Sequence, residues 1–160
     1  MTREELEQAI RAACDVSGDD QVYVFGSQAI LGQYPNAPES LRQSAEADIA
    51  PVNEIDMVDL IDVSLGELSN FHNLYGFYVH GVSIEAAILP NGWEKRVIEV
   101  RNENTRNYAG WCVEAHDLAV SKLVAFPKRI EISSGSCLSK NSSNQRSYIG
   151  DSISFRITRE

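Results

Sequence analysis

Short β-type runs alternating with helical stretches leave this chain few architectures to choose from. Gln21–Phe25 is rich in β-branched and aromatic residues, and Gly26-Ser27 follows it without a gap. Residues 47–51 are stopped by their own proline, Pro51. Residues 77–79, 84–89, 97–100 and 111–113 also read as strands. Ahead of them, residues 2–15 read as an amphipathic helix. Thr2 and Glu5 form a capping box there, and Leu6, Ile10 and Ala13 share one face. Residues 28–31 read as the first turn of a helix, 36–43 as a loop with a short helix, and 54–68 as a helix. A last helix runs from its cap, Asp117, to about Ala125. The alternation predicts an α/β (α+β) domain, a mixed central sheet flanked by helices, with no internal repeat.

The 160 residues suit one domain, and 43% hydrophobic with 23% charged residues is a globular composition. A net charge of −9 argues against broad coating of nucleic acid, which needs Lys and Arg to neutralise phosphates. Small anionic ligands remain compatible, because metal ions and helix N-termini hold phosphate on acidic proteins. No apolar run nears the ~20 residues that span a bilayer, and the acidic N-terminus has no apolar signal core. No membrane association and a cytoplasmic location are therefore expected. Cys14, Cys112 and Cys137 are too far apart for a paired metal motif and read as buried or free thiols.

Charge breaks near Pro127. Residues 1–126 carry 20 acidic and 8 basic residues, whereas 127–160 carry 3 and 6. Nine serines fall between Ser133 and Ser154. The expected organisation is a domain over 1–126 and a Ser-rich, weakly structured tail over 127–160.

Two short motifs carry the chemistry. Gly26 lets backbone approach a ligand closely, the following helix start offers free N–H groups to phosphate, and the Ser27 hydroxyl adds a hydrogen bond. A plain tight turn has the same composition. Glu46 and Asp48 are two apart on a strand, so both project from one face. Paired carboxylates repel, and Mg²⁺ relieves the repulsion while taking phosphate oxygens as further ligands. A solvated acidic edge has the same pattern. Trp93 and Trp111 read as core residues rather than stacking platforms, and His116 as a surface or packing residue. Lys122 reads from the residues alone as a solvated helix lysine.

Together, strand, Gly-Ser, helix, and a strand with two acids one residue apart resemble the polymerase-beta nucleotidyltransferase superfamily. More closely, the chain is similar to a family of small bacterial proteins in it, domain of unknown function 6036. The resemblance rests on Phe25-Gly-Ser-Gln-Ala-Ile-Leu-Gly32, Glu46-Ala-Asp-Ile-Ala-Pro51, Leu60-Ile-Asp62, Leu89-Pro-Asn-Gly-Trp93 and Gly110 through Ala125. It implies a nucleotidyltransferase-like fold, with Mg²⁺ or Mn²⁺ on Glu46 and Asp48. Gly26, Ser27 and Lys122 would contact the phosphates of a nucleoside triphosphate substrate. Glu85 is the candidate for the superfamily's third acid. His80 stands where relatives would carry an acidic residue, and the 18 residues between Ser27 and Glu46 imply an insertion that loops out.

The implied activity is nucleotidyl transfer to an RNA, protein or small-molecule hydroxyl, with an antitoxin-like partner by relation to toxin–antitoxin nucleotidyltransferases. The alternative is a catalytically inactive binding or regulatory module of the same fold. Relatives continue beyond Phe126 with a charged amphipathic helix. The serine-rich sequence here reads as a hypothetical change of reading frame, which the gene's nucleotide sequence tests: a neighbouring frame that restores no such helix ends the idea.

Overall fold

The computed structural model describes residues 1–134 of the chain, with side chains described through residue 125. Helix α1, Arg3–Ser17, starts as expected: Thr2 Oγ1 accepts from the Glu5 N–H, and the Glu5 carboxylate accepts from the Thr2 N–H. It ends at Gly18 in the left-handed conformation. Strand β1, Gln21–Phe25, leads through Gly26 into a 3₁₀ turn, Ser27–Ala29, and the single-turn helix α2, Ile30–Gln33. The segment from α2 to β2, Glu46–Pro51, contains a further 3₁₀ turn, Glu39–Leu41. It is tied down by the N-terminal amine, which donates to the carbonyls of Arg42 at 2.5 Å and Ser44 at 3.1 Å.

The remaining elements are α3 (Val58–Leu65), α4 (Asn70–Tyr75), β3 (Tyr78–Gly81), β4 (Ile98–Val100), β5 (Ala109–Cys112) and α5 (Ala115–Ser134). The five strands form one mixed sheet, ordered β3-β2-β1-β5-β4. The β1–β2 and β4–β5 pairs are antiparallel, and the β1–β5 and β2–β3 pairs are parallel. The expected mixed sheet flanked by helices is the architecture found.

Alternation along the strands explains the layering. Val22 and Val24 of β1, Ala47 and Ile49 of β2 and Val79 of β3 are fully buried. So are Leu6, Ile10 and Ala13 of α1 and Ile61 of α3. A Cβ on Gly110 of β5 would lie 2.4 Å from Ile10 Cδ1, so α1 docks onto bare backbone there. Tyr23, Glu46, Asp48, Tyr78 and His80, which alternate with these residues along β1, β2 and β3, are only partly covered. That second face carries the candidate site.

Several expectations need correction. Residues 84–89 are not a strand: a 3₁₀ turn covers Ile84–Ala86, and irregular chain follows. A run of six with five apolar residues fits a packed loop as well as a strand, and here Ile84, Ala87 and Leu89 pack against the core without pairing. The helix expected over 54–68 is α only from Val58 to Leu65, because Ile61 and Leu65 alone supply its buried face. Helix α4 has no periodic apolar pattern to betray it, being under two turns, although Ser69 caps it and left-handed Gly76 ends it. Asp117 does not cap α5: it lies inside the first turn and receives two 2.9 Å hydrogen bonds from Arg96. Most of the expected Ser-rich tail, with Cys137, lies outside the described residues.

Candidate metal centre

Strand β2 delivers Glu46 and Asp48 to one face, and its parallel pairing with β3 sets Tyr78 beside Glu46 and His80 beside Asp48. The consequence is a cluster of three donors. His80 Nδ1 lies 3.0 Å from Glu46 Oε1 and 3.2 Å from Asp48 Oδ1. One donor atom from each residue lies within 4.8 Å of the others. The side chains are 44% (His80), 35% (Glu46) and 26% (Asp48) exposed, open enough for an ion to reach them from solvent. The Tyr78 hydroxyl donates to Glu46 Oε2 at 3.2 Å and fixes that carboxylate from behind. Burial, then the Glu46 carboxylate, push the Tyr78 phenol upward from its ordinary value, so it stays a donor.

Asp48 is the strained member. Burial, and next the charge of Glu46, raise its carboxyl above the ordinary aspartate value, against the opposing pull of His80. Two carboxylates held together at such a cost are stabilised by a cation between them. Donor spacing fits one. Adjacent ligands on an ion with bonds of about 2.1 Å sit roughly 3 Å apart in octahedral geometry, which is the spacing from His80 Nδ1 to both carboxylates.

Gly26 completes the arrangement. Its φ of +69° and ψ of −166° lie in a region that is essentially restricted to glycine. A Cβ there would fall 1.9 Å from Asp48 Oδ2. The turn after β1 and the Asp48 carboxylate therefore share one side of the sheet and touch, because Phe25 and Asp48 are register partners.

Beside them is a cavity of about 280 Å³, lined by Phe25, Gly26, Asp48, Leu118 and Lys122 among others. A second, of about 350 Å³, is lined by Ser27, Gln28, Ser44, Leu118 and Lys122. The structure thus brings Gly26, Asp48 and Lys122 together, while Ser27 opens into the neighbouring cavity with Lys122 at the border. The expected helix-dipole contribution is curtailed, because the element after Gly26 is one 3₁₀ turn and a four-residue helix.

Glu85 is not part of the cluster. It is fully exposed on the 3₁₀ turn after β3, with its carboxylate accepting the Ser83 hydroxyl. The third corner is His80, which sequence reasoning noted only as a departure from an expected acid. Its signal was positional: on a strand beside β2, it needed only the right register to meet Asp48. His116, on exposed chain, pairs with Glu114 at 2.8 Å and belongs to neither cavity. Trp93 stacks edge-on to Tyr23, with ring centres 5.0 Å apart, and the Trp111 indole donates to Gln21 Oε1 at 3.0 Å. Of the two, Trp93 packs against the core. No helix among the described residues is long and apolar enough to cross a membrane. No family model, curated protein or solved structure matches the chain.

Proposed function

We propose that the protein is a divalent-metal-dependent nucleotidyltransferase, moving a nucleotidyl group from a nucleoside triphosphate to a hydroxyl of an RNA, a protein or a small molecule. The observation that carries the reading is the contact between the Gly26 turn and the Asp48 carboxylate, with Glu46 alongside. That contact sets a side-chain-free stretch of backbone next to a carboxylate pair, where a triphosphate and an ion can meet.

In the reaction, the acceptor hydroxyl gives up its proton to solvent water, its oxygen bonds to the α-phosphorus, the bond from that phosphorus to the bridging oxygen breaks, and pyrophosphate leaves. Glu46 and Asp48, with His80 beside them, would hold the divalent ion. When bound, the ion supplies charge neutralisation at the phosphates. Gly26 admits the triphosphate, and the Lys122 ammonium at the cavity border offsets its charge. At about 280 Å³ the cavity is small for a whole nucleotide, since ligand pockets run from roughly 300 Å³ upward. The adjoining cavity, which shares Leu118 and Lys122, offers the additional room.

A second reading has its own observation. His80 replaces the third carboxylate with a neutral or cationic ring, which favours a site that binds nucleotide without turnover and acts through a partner, such as an antitoxin-like protein. One experiment separates the two. Radiolabelled ATP, CTP, GTP and UTP are offered with Mg²⁺ or Mn²⁺, first for binding and then for transfer to lysate components. Metal-dependent transfer that falls by at least about 100-fold in Asp48→Asn, on the scale of losing transition-state charge stabilisation, supports the enzyme. Metal-dependent binding without transfer supports the module. Absence of both leaves only the fold.

A further inference from the structure

We propose that Glu46, Asp48 and His80 form a mixed oxygen–nitrogen metal site that selects a borderline transition ion, of the Co²⁺ or Zn²⁺ class, over Mg²⁺. The inference rests on the metal-holding half of the preceding reading and is independent of any nucleotide.

The donor chemistry decides the preference. Mg²⁺ is a hard cation that takes oxygen ligands and keeps several waters. An imidazole nitrogen is a poor ligand for it and a good one for Co²⁺, Ni²⁺ and Zn²⁺. His80 Nδ1 is not peripheral here: at 3.0 Å from Glu46 and 3.2 Å from Asp48 it occupies a ligand edge with each carboxylate. An ion seated between those carboxylates would meet the nitrogen at bonding distance.

Two independent features support a built site rather than a chance cluster. Tyr78 donates to the outer oxygen of Glu46, the kind of second contact that orients a ligating carboxylate. Gly26 leaves open the space against Asp48 Oδ2 that any side chain would fill. The other histidine–carboxylate pair among the described residues, His116 with Glu114, has neither a third donor nor such framing.

Transition ions outrank Mg²⁺ at almost any nitrogen- or oxygen-donor site, so a bare preference proves little. The decisive comparison is between the wild-type chain and His80→Asp, which restores an all-oxygen set. The full-length, metal-stripped protein is titrated with Co²⁺, followed by its visible absorption, and Mg²⁺ is then added as competitor. Calorimetry with Zn²⁺ runs in parallel. The expected result is that His80→Asp narrows the Co²⁺-over-Mg²⁺ preference by about 10-fold or more, the scale of losing one well-placed donor interaction. His116→Gln leaves the preference unchanged.

In ¹⁵N-histidine-labelled wild-type protein, diamagnetic Zn²⁺ moves the His80 Nδ1 resonance to that of a metal-bound nitrogen ahead of any change at His72 and His116. This measurement decides the matter if the His80→Asp chain fails to fold by circular dichroism. An unchanged preference in a folded His80→Asp, or a His80 ring untouched by a bound ion, overturns the nitrogen-ligand inference and leaves the nucleotidyltransferase reading standing. Failure of every divalent ion to bind overturns both.

Discussion

At the scale of single residues, the candidate centre depends on one residue that lacks a side chain. Gly26 adopts a backbone conformation that an L-residue reaches only with strain, and a Cβ would collide with Asp48 Oδ2. The two penalties are separable. The backbone strain alone costs about 1–3 kcal/mol, and the collision must be relieved by displacing the Asp48 carboxylate from its present place. Gly26→Ala is therefore expected to lose stability of about that size in urea unfolding and also to weaken divalent-ion binding. A Gly26→Ala protein as stable as wild type and with unchanged ion affinity would show that the turn and the carboxylate do not touch in solution. Lys122 lines the same cavity from exposed helix surface.

At the scale of elements, buried carboxylates hold the connections in place. Asp19, 4% exposed, sits between α1 and β1. It accepts from the N–H groups of Gln21, Asn53 and Glu54 and from Asn53 Nδ2, at 2.6–3.1 Å. It thereby pins the chain leaving β2. Burial on its own raises this carboxyl, but the hydrogen bonds from Asn53, Glu54 and Gln21 outweigh it and hold Asp19 below its ordinary value. Glu7 does the same for the loop after β4, accepting from Arg3, Asn102 and Asn104, each at 2.8 Å. Burial again opposes those bonds, and the net direction is downward.

A folded value below the unfolded one, about 3.9 for aspartate, means a stabilising contribution that is complete above roughly pH 5. It is lost as pH falls through the folded value. Asp19→Ala strands three backbone donors and one amide, and is expected to cost about 1–3 kcal/mol or more at pH 7. The variant should also lose less stability than wild type between pH 5 and pH 3, on the order of the acid-labile share that linkage assigns to such a carboxylate. Parallel acid-induced losses in the two proteins would remove Asp19 from the account.

At the scale of the whole molecule, one helix-covered sheet face forms the core and the other presents chemistry. The division predicts how the described cysteines behave. Cys14 of α1 and Cys112 of β5 are both buried. Burial pushes each thiol to about 12; for Cys14 the charges of Asp19, Asp15 and Asp20 add to it. Neither is a thiolate near neutral pH. In a Cys137→Ser chain, a disulfide-exchange reagent at pH 8 should therefore label nothing quickly in the native state and both thiols in urea. Labelling should follow a single unfolding rate if α1 and the sheet open together. A native-state thiol reacting at the rate of a free cysteine would show that the helix-covered face opens locally.

Local signals made much of this legible beforehand. The capping box at Thr2 and Glu5, the β-branched run ending at Gly26, and the i, i+2 spacing of Glu46 and Asp48 are encoded within a few residues of one another. Each follows from backbone geometry alone. The third ligand position was not local. His80 meets Asp48 across a parallel pairing of strands 32 residues apart, and a one-residue slip would have turned it to the helix-covered face. Glu85 lost that position because its apolar neighbours packed as a turn instead of extending the sheet past β3. The sequence by itself thus determined α1, β1, β2, the sheet-and-helix class and the acid pair. Only the tertiary structure decided which distant side chain completes the cluster, because strand register is set by core packing over the whole sheet and not by any short stretch of chain.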